Sequence, residues 1–258
     1  MIEVVEVSKI YKLSAKQRKK LKTKDSSKKA VEDLSFTAKE GQIYGLLGPN
    51  GAGKTTALRC LSTLLKPTTG HILVNGENLS GHEERLRGQM AFLTNEIKLD
   101  PNFTPAYLFR FFGRLHGMTE EAIEARQEEL FSYFDIMDFK QKKVEELSTG
   151  MKQKAAIAVS LVHDPDIIIF DEPTNGLDII TARKVTDYLQ MLRDKGKLII
   201  ISTHIMSEAE RLCDRIGIII GGRKVMEGSL QEILEAGQAD NLEDAFFHIY
   251  IKVAGEEV

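Results

Sequence analysis

The sequence predicts an α/β fold built on a mainly parallel sheet. Strand-sized apolar runs alternate with helical stretches: Asp166–Asp171, Leu198–Ser202 and Ile216–Ile220 are separated by helices near 180–195 and 206–213. The run Ile167-Ile168-Ile169-Phe170 is apolar at every position, as in a strand covered on both faces. Upstream, a glycine-rich loop joins the apolar run Ile43–Leu47 to the helix-forming stretch Thr56–Leu61. With 258 residues, 42% apolar and 28% charged, the chain suffices for one large packed domain or two small ones.

In chain order, Ile2–Val7 reads as a strand. From Lys12 to Lys29 nine basic residues face Asp25 alone, a local charge of +8; the other 26 basic and 37 acidic residues carry −11. Having few apolar residues and no period, this segment reads as a mobile loop. Val31–Ala38 resumes a strand, and Glu40-Gly41 turns into the strand that feeds the glycine loop. After a helix over 54–65 come a turn at Lys66–Gly70, a strand from His71 and a short strand Met90–Leu93. From about 94 to 164 the pattern is helical. Thr104–His116 places Tyr107, Leu108, Phe111, Phe112 and Leu115 on one face, an aromatic stripe expected in the core. Thr119 caps a second helix through Phe134, and Ser148 a third to about Val162. Residues 223–250 read as a final hairpin strand and two short helices.

Composition excludes several classes. A net charge of −3 does not suit general nucleic-acid binding. Cys60 and Cys213 lack metal-ligand spacing and are expected in the core of a chain kept reduced. The first six residues lack the basic start and apolar region of a signal peptide, and no apolar run approaches membrane-spanning length. A soluble chain is expected.

The run Gly48-Pro49-Asn50-Gly51-Ala52-Gly53-Lys54-Thr55 fits the phosphate-binding pattern G-x-x-x-x-G-K-[ST] in its strand–loop–helix setting. The glycines let successive N–H groups and the helix start, through Thr56, point at an anion. Lys54 supplies a cation for the β- and γ-phosphates, and the Thr55 hydroxyl suits Mg²⁺, which prefers oxygen. This predicts a nucleoside triphosphate without naming it. Asp171-Glu172 ends an apolar strand, where open α/β sheets bind ligands. Asp171 is suited to hold Mg²⁺ through water, and Glu172 to act as a general base. A lone pair of this kind is more often a solvated strand end.

The pair is not alone. Leu147-Ser148-Thr149-Gly150-Met151 precedes it, Pro173–Asp178 continues it, and Ile201-Ser202-Thr203-His204 follows. In these motifs and their order the chain resembles the ATP-binding subunits of ABC transporters over residues 1–230. The branch it looks most like is the ATPases of ABC-2 type exporters, including the bacterial sodium-extruding NatA type. The resemblance implies a P-loop NTPase fold with a parallel core sheet, an antiparallel β subdomain and a helical subdomain at about 94–164. A basic loop at about 12–29 is inserted in the β region, and residues 231–258 form a helical tail. ATP and Mg²⁺ are the implied cofactors. Tyr11 matches the aromatic residue that stacks on adenine. Ser148 and Gly150 match the signature that caps the γ-phosphate of ATP held by a second, identical ATPase subunit. Asp178 matches the loop lining the dimer seam, and His204 the histidine that contacts γ-phosphate. Asn95 aligns with the lid-loop glutamine that contacts metal and water, but is one methylene shorter; Glu96 stands beside it. Thr149 and Met151 replace the usual glycine and glutamine of the signature. The basic insertion replaces a short turn.

The implied activity is ATP hydrolysis energising a membrane exporter, with sodium efflux first and a drug, peptide or lipid as alternative cargo. The partner is an integral ABC-2 permease, at the cytoplasmic face of the cell membrane. The basic segment is an additional candidate for anionic lipid. A soluble ABC ATPase acting on ribosomes or DNA is disfavoured by the single ATPase unit and the lack of a heptad run. A non-hydrolysing regulator is disfavoured by Glu172 and His204.

Overall fold

The computed structural model describes residues 1–21, 23–94 and 99–256. The first strand, β1 (Ile2–Lys12), runs past Val7 because its outer half pairs with the next strand, with Ile10 opposite Lys29, Tyr11 opposite Lys28 and Lys12 opposite Ser27. The basic segment expected as a loop instead contains a helix, α1 (Ala15–Leu21). Its residues are mostly strong helix formers. The ends of the hairpin hold it, with the Leu13 N–H donating to the Ser26 carbonyl at 2.8 Å. Then follow β2 (Ser27–Ala38), β3 (Gln42–Leu47), α2 (Lys54–Leu61), β4 (Thr69–Val74), β5 (Glu77–Asn78), α3 (Glu83–Arg87) and β6 (Met90–Leu93). A helical block comprises α4 (Pro105–Leu115), α5 (Glu120–Tyr133) and α6 (Thr149–Ser160). The chain returns through β7 (Ile167–Asp171), α7 (Ile179–Asp194), β8 (Leu198–Thr203), α8 (Met206–Leu212), β9 (Arg215–Ile220) and β10 (Arg223–Gly228). It ends in α9 (Leu230–Gly237) and α10 (Leu242–Glu256), the latter longer than the short helix expected.

Two sheets form. One is antiparallel, ordered β2-β1-β4-β5; the other is ordered β10-β9-β3-β8-β7-β6, parallel except for the β9–β10 hairpin. The all-apolar strands of the second sheet are explained by its two covered faces. Ile168, Phe170, Ile199 and Ile201 point into a core shared with the helical block, whereas Ile167, Ile169, Leu198 and Ile200 point into one shared with the antiparallel sheet and α2.

The aromatic stripe of α4 corrects the expectation. Phe109 is fully buried at 0% exposure and Leu108 is buried, but Tyr107 is 51% and Phe111 48% exposed. Phe103, Tyr107 and Phe111 stack in series, with centroids 4.6 and 6.3 Å apart. The helix carries apolar residues on two faces, and Gly113 decides which one enters the core. A Cβ there would stand 2.7 Å from Ile123 Cγ1, so α5 packs closely against that side.

Register sets the site. Leu47 pairs with Thr203 and Asp171 with Ser202, so β3, β7 and β8 end together. The glycine loop, Glu172 and His204 thus emerge at one edge. Among the described residues no helix is long and apolar enough to cross a membrane.

Candidate active site

The glycine loop takes its shape from close backbone contacts. Gly53 has φ +105°, and a Cβ there would meet the Ala30 carbonyl oxygen at 2.2 Å; a Cβ at Gly48 would meet that of Ile219 at 2.2 Å. No other residue type fits either place without displacing backbone. The loop is thereby fastened to β2 on one side and β9 on the other. Lys54 opens α2, is buried, and donates to the carbonyls of Gly48 at 2.6 Å and Pro49 at 3.1 Å. Burial pushes its ammonium below the ordinary lysine range, while the charges of Glu172 and Asp171 pull the other way. Both carboxylates therefore lie within electrostatic reach of Lys54.

A cleft of about 260 Å³ is lined by Tyr11, Lys28 and Ala30 on one wall and by Asn50 through Thr56 with Glu172 on the other. Two other hollows, of about 300 and about 630 Å³, lie elsewhere; chemistry, not size, singles out this one. Asp171 is buried at the end of β7 and accepts a short hydrogen bond from Ser202 Oγ. Glu172 adopts φ +50°, a left-handed conformation uncommon for a non-glycine residue. Its N–H donates to the Ser202 carbonyl at 3.1 Å. Its carboxylate is gripped at both oxygens, by Asn175 Nδ2 at 2.9 Å and by His204 Nδ1 at 2.8 Å.

The structure thus brings the glycine loop, Lys54, Thr55, Thr56, Asp171, Glu172 and His204 to one end of the parallel strands, while Tyr11 lines the cleft from β1 of the antiparallel sheet. Ser148, Gly150 and Asp178 do not line the cleft. Ser148 caps α6, its hydroxyl accepting from the Met151 N–H at 3.3 Å. Asp178 caps α7, accepting from Ile180 and Thr181 N–H at 3.0 Å each. These bonds, with that of the Thr181 side chain foremost, hold its carboxyl below the usual range. Gly150 has no φ above zero, and a Cβ there would meet nothing within 4 Å, so its own chain does not require glycine. Met151, unusual in its motif, packs partly buried against the core beneath α6. Asn95 and Glu96 lie outside the described residues.

Sequence reasoning missed three supports. Ser202 and Asn175 position the two carboxylates; the signal for Ser202 was a polar residue ending an all-apolar strand. Glu208, buried, accepts from Thr174 Oγ1 at 2.7 Å and, by a short bond, from Thr203 Oγ1. It ties the loop after β7 to the end of β8. Nothing in the sequence marked it, because an acid in the first turn of a short helix reads as a surface residue.

The cleft sets a glycine loop and a buried lysine beside Glu172, whose carboxylate is bonded to His204. Residues 31–175 match the ABC transporter family model, more than half of the chain, and the chain belongs to that family as an ATP-binding, ATP-hydrolysing subunit. It is 39% identical over 219 residues to the ABC transporter ATP-binding protein NatA of Bacillus subtilis (strain 168), across 84% of this chain and 89% of that one. To the Nod factor export ATP-binding protein I of Burkholderia lata it is 42% identical over 209 residues, across 81% and 69%. It is also similar to a solved ATP-binding subunit of an ABC transporter, with a TM-score of 0.84 at 28% identity, covering 97% of this chain and 99% of that one. The cassette MJ0796, solved as a post-hydrolysis dimer bound to ADP and Pi, gives a TM-score of 0.78 at 25% identity, covering 89% and 99%.

Proposed function

We propose that this subunit dimerises with a second copy around ATP and Mg²⁺ at the cytoplasmic face of the membrane, and drives an ABC-2 type exporter whose cargo is sodium. In this reading Tyr11 takes the adenine and the loop from Gly48 to Thr56 takes the phosphates. Thr55 and Asp171 offer the hard oxygen donors that suit Mg²⁺, which is commonly held by one or two carboxylates plus substrate phosphates. When bound, the ion supplies positive charge against the phosphates. Glu172 accepts the proton of the attacking water, and His204 orients Glu172 and reaches the γ-phosphate end.

Dimerisation is supported by groups that the chain leaves unused. Gly150 leaves room for close approach from outside. Ile179 and Ile180, directly after Asp178, are 89% and 73% exposed. The N-terminus of α6, capped by Ser148 at the Met151 N–H, suits an anion presented by a second subunit.

The observation carrying the transport role is the stacked aromatic stripe Phe103–Tyr107–Phe111, an apolar surface on a block joined to an ATPase core. We place the permease there, with the helical block at about 94–164 transmitting the movement. In membrane vesicles holding this subunit and its permease, ATP should drive sodium transport. Tyr107→Asp should abolish transport while leaving ATP hydrolysis by the isolated subunit within about twofold, since it buries an unpaired charge in the middle of the apolar contact and leaves the cleft residues unchanged. Normal transport in that variant would move the docking surface elsewhere. The Nod factor export relative, as similar as the first, favours a second reading with a larger organic cargo. ATP-driven movement of such a solute without sodium would select it.

The basic segment, now seen to include α1, is proposed to touch anionic lipid, each charge contributing about 1 kcal/mol near such a surface. Replacing Lys16, Arg18, Lys19 and Lys24 with glutamine should weaken salt-sensitive binding to phosphatidylserine vesicles. Equal binding by variant and parent would reject the contact.

A further inference from the structure

The cleft has one charged lining residue besides Lys54 and Glu172, Lys28, that none of the motifs accounts for. Lys28 lines it from β2, directly opposite Tyr11 in the β1–β2 ladder. Directly paired residues put their side chains on the same face of a sheet, about 5 Å apart at Cβ. Lys12 and Lys29, each one residue on, fall on the other face by alternation. Nearby cations are otherwise engaged. Lys29 pairs with Glu32 at 2.6 Å. Lys9 donates to the Lys66 carbonyl at 2.7 Å and lies 5.6 Å from the Tyr11 ring centroid. Lys54 holds the loop carbonyls. Lys28 is exposed, and among the described residues its side chain has no hydrogen bond or ion pair.

Its distance from the phosphate loop follows from strand geometry. Ala30, two residues further on and lining the same cleft, is the residue whose carbonyl oxygen abuts Gly53. Two residues of strand span about 7 Å. Lys28 therefore stands about 7 Å from the point where β2 meets the loop, and beside the aromatic ring. A four-carbon stem carries its ammonium across much of that interval. A group placed there meets the part of a nucleotide between base and terminal phosphates. An ammonium only donates, so it matches anionic oxygens better than the mixed donors and acceptors of a base edge.

We infer that Lys28 is a further nucleotide-binding residue, its ammonium set against the phosphate chain at the ribose end. The inference rests on the reading that Tyr11 takes the base and the glycine loop the phosphates. The hairpin that holds α1 also holds this contact. Extending β1 and β2 past the usual short turn keeps Lys28 paired with Tyr11 and facing inward.

Binding of a fluorescent ADP analogue with Mg²⁺ tests it, using the full chain at two salt concentrations. Lys28→Gln should raise Kd about 3- to 10-fold and flatten its salt dependence, as loss of one partly exposed charge-assisted contact would. Lys28→Arg should stay near the parent. Lys12→Gln, an equal loss of charge on the opposite face, should bind as the parent does. Tyr11→Ala monitors the underlying reading. If Tyr11→Ala weakens binding and Lys28→Gln does not, this inference alone is overturned. It is overturned equally if Lys12→Gln weakens binding as much as Lys28→Gln, since the effect would then be the general field of the arm. If Tyr11→Ala binds as the parent does, the reading beneath it fails.

Discussion

Glu172→Gln is expected to leave MgATP binding near the parental value and to lower turnover by about 10²- to 10⁴-fold, the range associated with loss of a general base. The substitution keeps the shape of the side chain. Its carbonyl oxygen can still accept from Asn175 or His204, so the loop after β7 should hold its conformation. What disappears is a carboxylate able to take a proton from water. Hydrolysis then stalls with ATP bound, and a dimer stable on size-exclusion chromatography should appear only when ATP and Mg²⁺ are both present. Phosphate release measured alongside nucleotide affinity separates the two effects. Turnover within a few-fold of the parent would remove Glu172 from the role of base and turn attention to His204. A joint loss of binding and turnover would instead show that Glu172 mainly holds the left-handed turn at the end of β7.

Lys54→Met should act on binding and not on the fold. Lys54 is buried, and its charge is disfavoured by that burial. Methionine fills a similar volume without a charge to desolvate, so the thermal midpoint should stay level or rise. The carbonyls of Gly48 and Pro49 lose a donor, which offsets part of that gain. For the nucleotide, loss of a buried charge-assisted contact costs about 2–5 kcal/mol, or about 30- to several-thousand-fold in affinity. Isothermal titration with MgATP and MgADP, run beside thermal unfolding, reads both effects. Parental affinity in this variant would mean that the loop N–H groups hold the phosphates unaided. An unfolded variant would mean that the lysine is a structural strut between loop carbonyls.

The chemistry of the site was legible because it is local. A glycine loop, a strand ending in two acids and a histidine after the next strand are short stretches whose residue types follow from phosphate and proton chemistry. The parallel sheet was legible for a similar reason: a strand buried on both faces has no polar alternation, and Ile167–Phe170 shows none. Three features were decided only by tertiary structure. The α4 stripe has apolar residues on two faces, and periodicity cannot rank them. The close approach of α5 at Gly113 buries Phe109 and leaves Tyr107 and Phe111 outside. The arm after Tyr11 holds a helix of good helix formers between pinned hairpin ends, whereas its lack of apolar residues and of period reads as a mobile loop. Glu208 joins Thr174 to Thr203, and Ser202 holds Asp171, because β7 and β8 end side by side; Asn175 reaches Glu172 within one loop. The sequence by itself determined which short stretches carry phosphate and proton chemistry, since their residue identities encode it. Strand register and helix packing decided where those stretches meet and which apolar face remains outside, because contacts such as Glu172–Ser202 and Thr174–Glu208 join residues about thirty positions apart.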